Sequence, residues 1–401
     1  MSNRLDQLIS HALDGRRSVH QFRQRRCVDP IDAVRVRVGP RELVNFCSND
    51  YLGLAARYRD IVFSRTGYGA GASGLICGYT SEHAQAETEL ARWKGTESSI
   101  LLPSGYQANL AAVQTLHAIS EASGRGIRFI VDRLVHASLI DAIRQVEGWV
   151  GKSMTRVFPH NDVAKVRRLL EQADPNDTQV VVTESIFSMD GDAGDLENIA
   201  QLKSQYDFIL LVDEAHATGL YGPDGAGLVA QLRLHEHVDV TITTLSKALG
   251  LVGGAVCGKQ SLIESVINFG RAYIYSTSTP PLFASATRDA IQICRQEPNR
   301  RKRVLSLSRQ VRSDLQEGGI DLFPGDSPII PVLFHEESRA MEAARQLEDQ
   351  GLLVLPVRPP TVPRGTSRLR ITLSCEHSDS QVDQLIRAVL RIVSGLRSRT
   401  R

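Results

Sequence analysis

The chain repeats one pattern that few architectures accept. Short strand candidates recur at 98–102, 127–132, 154–158, 179–183, 208–212, 238–244 and 253–257, and two of them, 208–212 and 238–244, read as apolar buried strands. Helix-period stretches at 106–118, 138–147, 161–173 and 195–206 lie between most of them. A strand with no polar face needs cover on both sides. Intervening helices supply that cover, so the pattern predicts an α/β fold, a mostly parallel sheet with helices on both faces. In such sheets ligands sit beyond the carboxyl ends of the strands.

Two of the runs end on reactive side chains. Phe208–Val212 leads into Asp213-Glu214-Ala215-His216, and 238–244 leads into Leu245-Ser246-Lys247-Ala248-Leu249-Gly250. An Asp, a His and a Lys therefore reach one rim. A lysine able to form a Schiff base, with an aspartate for a pyridinium nitrogen, is what pyridoxal phosphate (PLP) asks of a protein. Asp213 ends a buried strand, where its charge needs a cationic partner. The plainer reading of Asp213 is a helix N-cap, and that of Lys247 a solvated loop lysine. Small neighbours (Ser246, Ala248, Gly250) and Gly253-Gly254 point instead to a crowded, ligand-lined turn.

Other segments at strand ends carry two readings each. Ser104-Gly105-Tyr106 follows run 98–102 and opens a helix, whose free N–H groups and dipole suit a phosphate. Simple capping by Ser104 explains the same residues. His136 follows run 127–132, before a capping box expected from Ser138 and Asp141; it is either an idle loop histidine or an imidazole lying on a cofactor ring. Gly69-Ala70-Gly71-Ala72-Ser73-Gly74 matches G-x-G-x-x-G. A dinucleotide fingerprint needs a strand before it and a helix after it. Arg65-Thr66-Gly67-Tyr68 is no strand, so a tight loop allowing close backbone approach fits better.

The 401 residues allow two domains. Residues 1 to about 27 read as a helix with Leu5, Leu8, Ile9 and Leu13 on one face, and Val34 to Val44 as a hairpin turning at Gly39-Pro40. After Pro280-Pro281 a long helix is expected to about 318, then strands at 329–334, 352–355 and 368–373 alternating with helices at 336–350 and 378–394. The expected division is an arm at 1–45, a large domain at 46–281 and a smaller α+β domain at 282–401. A net charge of +2 argues against nucleic acid as the main partner, and Arg397 to Arg401 reads as a solvated terminus. Six scattered cysteines without a CxxC pair suggest free thiols in a reducing compartment. His235 and His237 lack the companions of a metal site. No membrane-length apolar stretch or signal core is visible, which suggests a cytoplasmic protein.

Several motifs in order resemble the α-oxoamine synthases: Ser48-Asn49-Asp50-Tyr51-Leu52-Gly53, Val212-Asp213-Glu214-Ala215-His216-Ala217-Thr218-Gly219, Thr244-Leu245-Ser246-Lys247-Ala248-Leu249-Gly250 and Tyr275-Ser276-Thr277-Ser278-Thr279-Pro280-Pro281. The similarity runs from about residue 5 to about 395. Arg358-Pro359-Pro360-Thr361-Val362-Pro363, Arg368-Leu369-Arg370 and Glu184 to Asp192 resemble the branch of biotin synthesis that joins L-alanine to a pimeloyl thioester, on CoA or acyl carrier protein. The glycine-plus-acetyl-CoA branch usually differs in the Arg-Pro-Pro-Thr run. The resemblance implies the aspartate-aminotransferase fold (PLP-dependent transferase fold type I) and a homodimer with shared sites.

By position it implies that Lys247 holds PLP and serves as base. Gly105, Tyr106 and Thr244 would take the phosphate. His136 would stack on the ring, Asp213 would pair with its nitrogen, and Ser188 and His216 would bond its phenolic side. Arg370 and Asn49 would take the amino-acid carboxylate, and Arg23 and Thr361 the acyl side. Ser276 or Thr277 would reach the phosphate in the partner subunit. Two departures from the pattern stand out: a segment 54–67 shorter than in relatives, and Leu75 where His or Arg is common, which bears on acyl choice.

Overall fold

The structure is a computed structural model, and it describes residues 4–18, 21–58, 67 and 69–398. The expectations that touch residues 1–3, 19–20, 59–66, 68 and 399–401 lie outside the described residues. These are the ends of the first helix, most of the shortened segment, the residues before the Gly-rich run and the arginine-rich end.

The described residues form two compact units. One contains Asp50–Ser188 and Asp192–Arg303; the other contains the residues up to Asn49, Met189–Gly191 and the chain from Val304 onward.

The apolar runs of the first unit become one seven-stranded sheet. Its strands are β1 (Ser98–Leu102), β2 (Gly126–Asp132), β3 (Thr155–Phe158), β4 (Asp177–Glu184), β5 (Ile209–Asp213), β6 (Val240–Thr244) and β7 (Gly254–Gly258). They lie side by side in the order β1, β7, β6, β5, β4, β2, β3. Only β7 is reversed: it pairs antiparallel with β1 and β6, and the remaining neighbours are parallel. The expected α/β architecture is therefore present.

Phe129, Val131, Val182, Leu211, Ile242 and Val256 pack with residues of helices α1 (Gly105–Ala122) and α2 (Ala137–Val150) in one buried cluster. Each such side chain withdrawn from water contributes about 1.5–3 kcal/mol. α1 starts just beyond β1 and α2 just beyond β2. Both therefore present their N-terminal amides at the carboxyl edge of the sheet.

The other unit holds the hairpin and the C-terminal chain. Arg35–Val38 pairs with Arg41–Asn45, with Val36 opposite Leu43 and both buried. Arg41–Asn45 also pairs, in parallel, with Leu352–Leu353. Ile329–His335, Ser367–Thr372 and Leu355–Val357 form a three-stranded antiparallel sheet.

Two helix expectations are corrected. The first helix is Arg4–Ser18, and 21–28 is irregular; there Arg26 forks onto Glu348 at 2.7 and 2.8 Å, a long-range contact no periodicity reveals. The segment to 318 is two helices, Pro281–Gln296 and Pro298–Glu317, because Pro298 has no N–H to continue the first.

Candidate active site

β2, β4, β5 and β6 deliver their last residues to one edge, where a cavity of about 200 Å³ opens. Gly105, Tyr106, His136, Ser188, Asp213, His216, Thr244 and Lys247 all line it. The sequence named each of these; the fold brings them together.

Lys247 Nζ lies 2.8 Å from His216 Nε2. The other ring nitrogen, Nδ1, lies 2.7 Å from the Tyr51 hydroxyl. Tyr51 is almost fully buried, at 1% exposure. Asp50 fixes the turn that carries it by accepting from the N–H groups of Leu54 and Ala55, each at 2.9 Å.

Asp213 faces the cavity with both oxygens oriented. Oδ2 accepts from Asn109 Nδ2 and Oδ1 from the Ala215 N–H, each at 2.9 Å. The Ala215 bond is the local turn a plain capping aspartate would make; the Asn109 bond comes from α1. Asn109 Nδ2 also reaches Ser138 Oγ at 2.9 Å.

His136, not Ser138, caps α2, which corrects the expected capping box. Its Nδ1 accepts from the Ser138 N–H at 3.2 Å and lies 2.7 Å from Ser138 Oγ. This leaves Nε2 as the protonated nitrogen of the neutral ring. Burial holds the His136 pKa below the ordinary imidazole value, and Lys247 works in the same direction against Asp213. A neutral ring has a face free of charge to lay against an aromatic cofactor.

Beneath His136, Glu184 accepts its N–H. Glu184 stands beside Asp213 in the β4–β5 register. Burial, with Asp213 next to it, pushes the Glu184 carboxyl well above the usual range, favouring its uncharged form.

The 104–106 segment caps its helix and also lines the cavity. Ser104 Oγ accepts from the Gln107 N–H at 3.1 Å, an ordinary N-cap, while Gly105 and Tyr106 line the cavity. A Cβ on Gly254 of β7 would stand 2.5 Å from the Gly105 nitrogen. Only glycine lets the strand come this close to the first turn of α1. Tyr106 donates its hydroxyl to Asp141 at 2.9 Å.

The Gly-rich run does not open an α-helix. Gly74–Gly78 is a π-helical turn, Ser73 bridges to Thr277, and Ser278 N–H donates to Ala72 C=O at 3.0 Å. The dinucleotide reading lacks its helix. Ser276 accepts from Gln107 Nε2 at 2.9 Å within this chain.

The family model for class I and II aminotransferases matches residues 41–389. The chain belongs to this family. Within the aminotransferase family, 8-amino-7-oxononanoate synthase of Cellvibrio japonicus is 39% identical over 96% of both chains. A solved structure of SPT with its PLP internal aldimine matches with TM-score 0.86 at 25% identity, covering 98% of this chain and 99% of that one. The 8-amino-7-oxononanoate synthase structure from Francisella tularensis, at 24% identity over 88% of this chain and 98% of its own, shows the shared fold with TM-score 0.74.

The donor set of this aminotransferase-family cavity fits PLP. It offers an amine, an oriented carboxylate, a neutral imidazole and a glycine-floored helix N-terminus on one wall each. The other unit keeps two of the expected pairs together. Arg370 Nη1 and Nη2 both donate to Asn49 Oδ1 at 3.1 Å, and Arg23 donates to Thr361 Oγ1 at 3.2 Å. Leu75, expected to bear on acyl choice, is half exposed.

Three groups were missed at the sequence level. Asn109 stands one helical turn after Gly105, a spacing that puts both on one face of α1 and was a usable signal. Tyr51 lies inside a quoted motif but is joined to His216 only by the fold. Lys94 gave no signal. Its ammonium pairs with Glu214 at 2.6 Å, each side chain 1% exposed, and also donates to Thr218 Oγ1 at 3.1 Å. This buried pair holds the Asp213–His216 turn from behind.

Proposed function

We propose that this chain is a PLP-dependent acyltransferase of biotin biosynthesis. It condenses L-alanine with a pimeloyl thioester and releases 8-amino-7-oxononanoate, CO2 and the free thiol carrier. The observation that carries this reading is a single cavity shared by the Lys247 amine and the Asp213 carboxylate. It occurs in a chain whose near-full-length curated relatives are 8-amino-7-oxononanoate synthases.

PLP in this cavity supplies an electron sink for the carbanion formed at the alanine Cα. Lys247 Nζ would hold the cofactor and, when free, would serve as the base toward the Cα proton. Asp213, held by Asn109 and Ala215, pairs with the positive ring nitrogen. His136 would lie against the ring, and Ser188 and His216 would serve its phenolic side. Gly105, Tyr106 and Thr244 serve the phosphate. Arg370 with Asn49 is assigned to the amino-acid carboxylate, where a guanidinium suits two-point binding. Arg23 and Thr361 are assigned to the acyl side. Among the described residues no helix is long and apolar enough to cross a membrane. The finer assignments are a cytoplasmic homodimer with shared sites and either CoA or acyl carrier protein as the thiol carrier.

The test is to mix the purified protein with L-alanine and acyl thioesters of graded length on each carrier, and to weigh the product. A pimeloyl-derived product with loss of CO2 is expected. Product from glycine and acetyl-CoA alone would reassign the enzyme to another α-oxoamine synthase branch. Absence of product with every pair would overturn the reading.

A further inference from the structure

Three side chains stand in one hydrogen-bonded line: Tyr51 Oη to His216 Nδ1 at 2.7 Å, and His216 Nε2 to Lys247 Nζ at 2.8 Å. Tyr51 and His216 are both buried. Nothing in the function above uses Tyr51.

The chemistry of the three groups gives the line two states. An ammonium at Nζ has donors and no acceptor, so Nε2 must accept from it. Nδ1 then carries the ring proton and donates to the tyrosine oxygen. When Nζ is a neutral amine, its lone pair can accept from Nε2–H. Nδ1 is then bare, and the tyrosine hydroxyl turns to donate to it. A phenol hydroxyl both donates and accepts, so it supports either tautomer without moving a heavy atom. The two states differ by the single proton that Nζ gives up to solvent; the imidazole is neutral in both, with its proton on Nδ1 in the first and on Nε2 in the second.

We propose that Tyr51 is a positioning residue: its buried hydroxyl holds His216 with Nε2 toward Lys247 and lets the imidazole change tautomer as the ε-amine gains or loses a proton. This deepens the function proposed above and rests on Lys247 being the base. A phenylalanine at this position keeps the ring and removes the only atom that can serve Nδ1 in both directions from Tyr51. The amine then loses a responsive neighbour, and its proton affinity shifts.

The experiment has two readouts. The first uses the protein without cofactor: 15N chemical shifts of the His216 ring, followed against pH in wild type and Tyr51→Phe. Wild type is expected to pass from the Nδ1–H to the Nε2–H tautomer as the Lys247 amine loses its proton, and Tyr51→Phe to remain in one tautomer. The second uses the PLP-loaded enzyme. The pH midpoint of its visible absorbance is expected to shift by about one pH unit in Tyr51→Phe, and kcat to fall about tenfold with KM for L-alanine nearly unchanged. Should Tyr51→Phe not fold, 3-fluorotyrosine in place of Tyr51 keeps ring and hydroxyl while raising acidity, and should move the same 15N signals.

Unchanged 15N shifts and an unchanged midpoint would overturn the proposal. So would a loss of thermal stability with both pH readouts intact, which is the mark of packing alone. Failure of the parent function, meaning no product from L-alanine and a pimeloyl thioester, is separate because the cofactor-free 15N titration does not depend on it.

Discussion

Asn109, on the first turns of α1, donates to the Asp213 carboxylate at 2.9 Å across 104 residues of sequence. One charge-assisted bond of this kind is worth about 1.5–3 kcal/mol. On the proposed pairing of Asp213 with the ring nitrogen, Asn109→Leu should weaken PLP affinity by roughly 10- to 100-fold. Asp213→Ala should also remove most of the activity. Equilibrium titration of cofactor-free protein with PLP, read by absorbance, checks the first; an Asn109→Leu protein that binds PLP as tightly as wild type contradicts it.

Lys94 and Glu214 form a buried pair beside the Asp213–His216 turn. Removing one partner strands a charge that water cannot reach. Lys94→Met should cost about 3–5 kcal/mol of stability, and Lys94→Met combined with Glu214→Leu should recover most of it. Urea unfolding of the three proteins gives the comparison. Equal losses in the single and double variants would show that the hydrogen bonds to Thr218 and Val229, not the charges, dominate.

Glu184 holds a proton in the fold that the unfolded chain gives up above the ordinary carboxylate range. Its contribution to stability is thus present at low pH and lost as pH rises. Glu184→Gln keeps an acceptor for the His136 N–H and cannot ionise. It should gain on wild type by at least about 1 kcal/mol between pH 5 and pH 9. Glu184→Ala should lose stability at both. Thermal melts at the two pH values decide, and a gap between Glu184→Gln and wild type that does not change with pH would count against the uncharged carboxyl.

His160 also has its pKa raised in the fold, but its protonated form is the charged one. Burial opposes its charge, but hydrogen bonds to Asp132 at 3.1 Å and Asp192 at 2.7 Å prevail and push it to about 10. Its folded pKa lies above the unfolded value of ~6.5. The stabilisation is therefore complete below that value and lost as pH climbs through about 10. His160→Gln should be weaker than wild type by about 2–4 kcal/mol near pH 7, with the gap closing toward pH 10. Denaturant midpoints across this range test it.

The sheet could be read from the chain because its central strands, such as Ile209–Asp213 and Val240–Thr244, are almost wholly buried. Position in sequence then followed position in space: runs such as 98–102 and 208–212 became β1 and β5 nearly residue for residue. The reactive groups at strand ends were legible for the same reason, since a strand fixes where its last residue goes. What escaped were partners brought in from other elements. Asn109 and Asp213, Tyr51 and His216, and Lys94 and Glu214 are each more than a hundred residues apart, so no local period links them. The cap of α2 was misplaced because histidine can accept a backbone N–H through Nδ1, a role the usual serine or aspartate rule assigns elsewhere.

Gly254 has a wider consequence. The closeness of β7 to the start of α1 depends on a position that carries only a hydrogen atom as its side chain. Its nearest atoms would be the Gly105 nitrogen at 2.5 Å and Cα at 2.6 Å from any added methyl. Backbone proximity, not charge, is therefore the quantity under restraint there. A sequence drifting at this position would push the first turn of α1 away from the strand while every acid and base in the cavity stayed in place, so a survey of titratable groups alone would pass such a protein as intact.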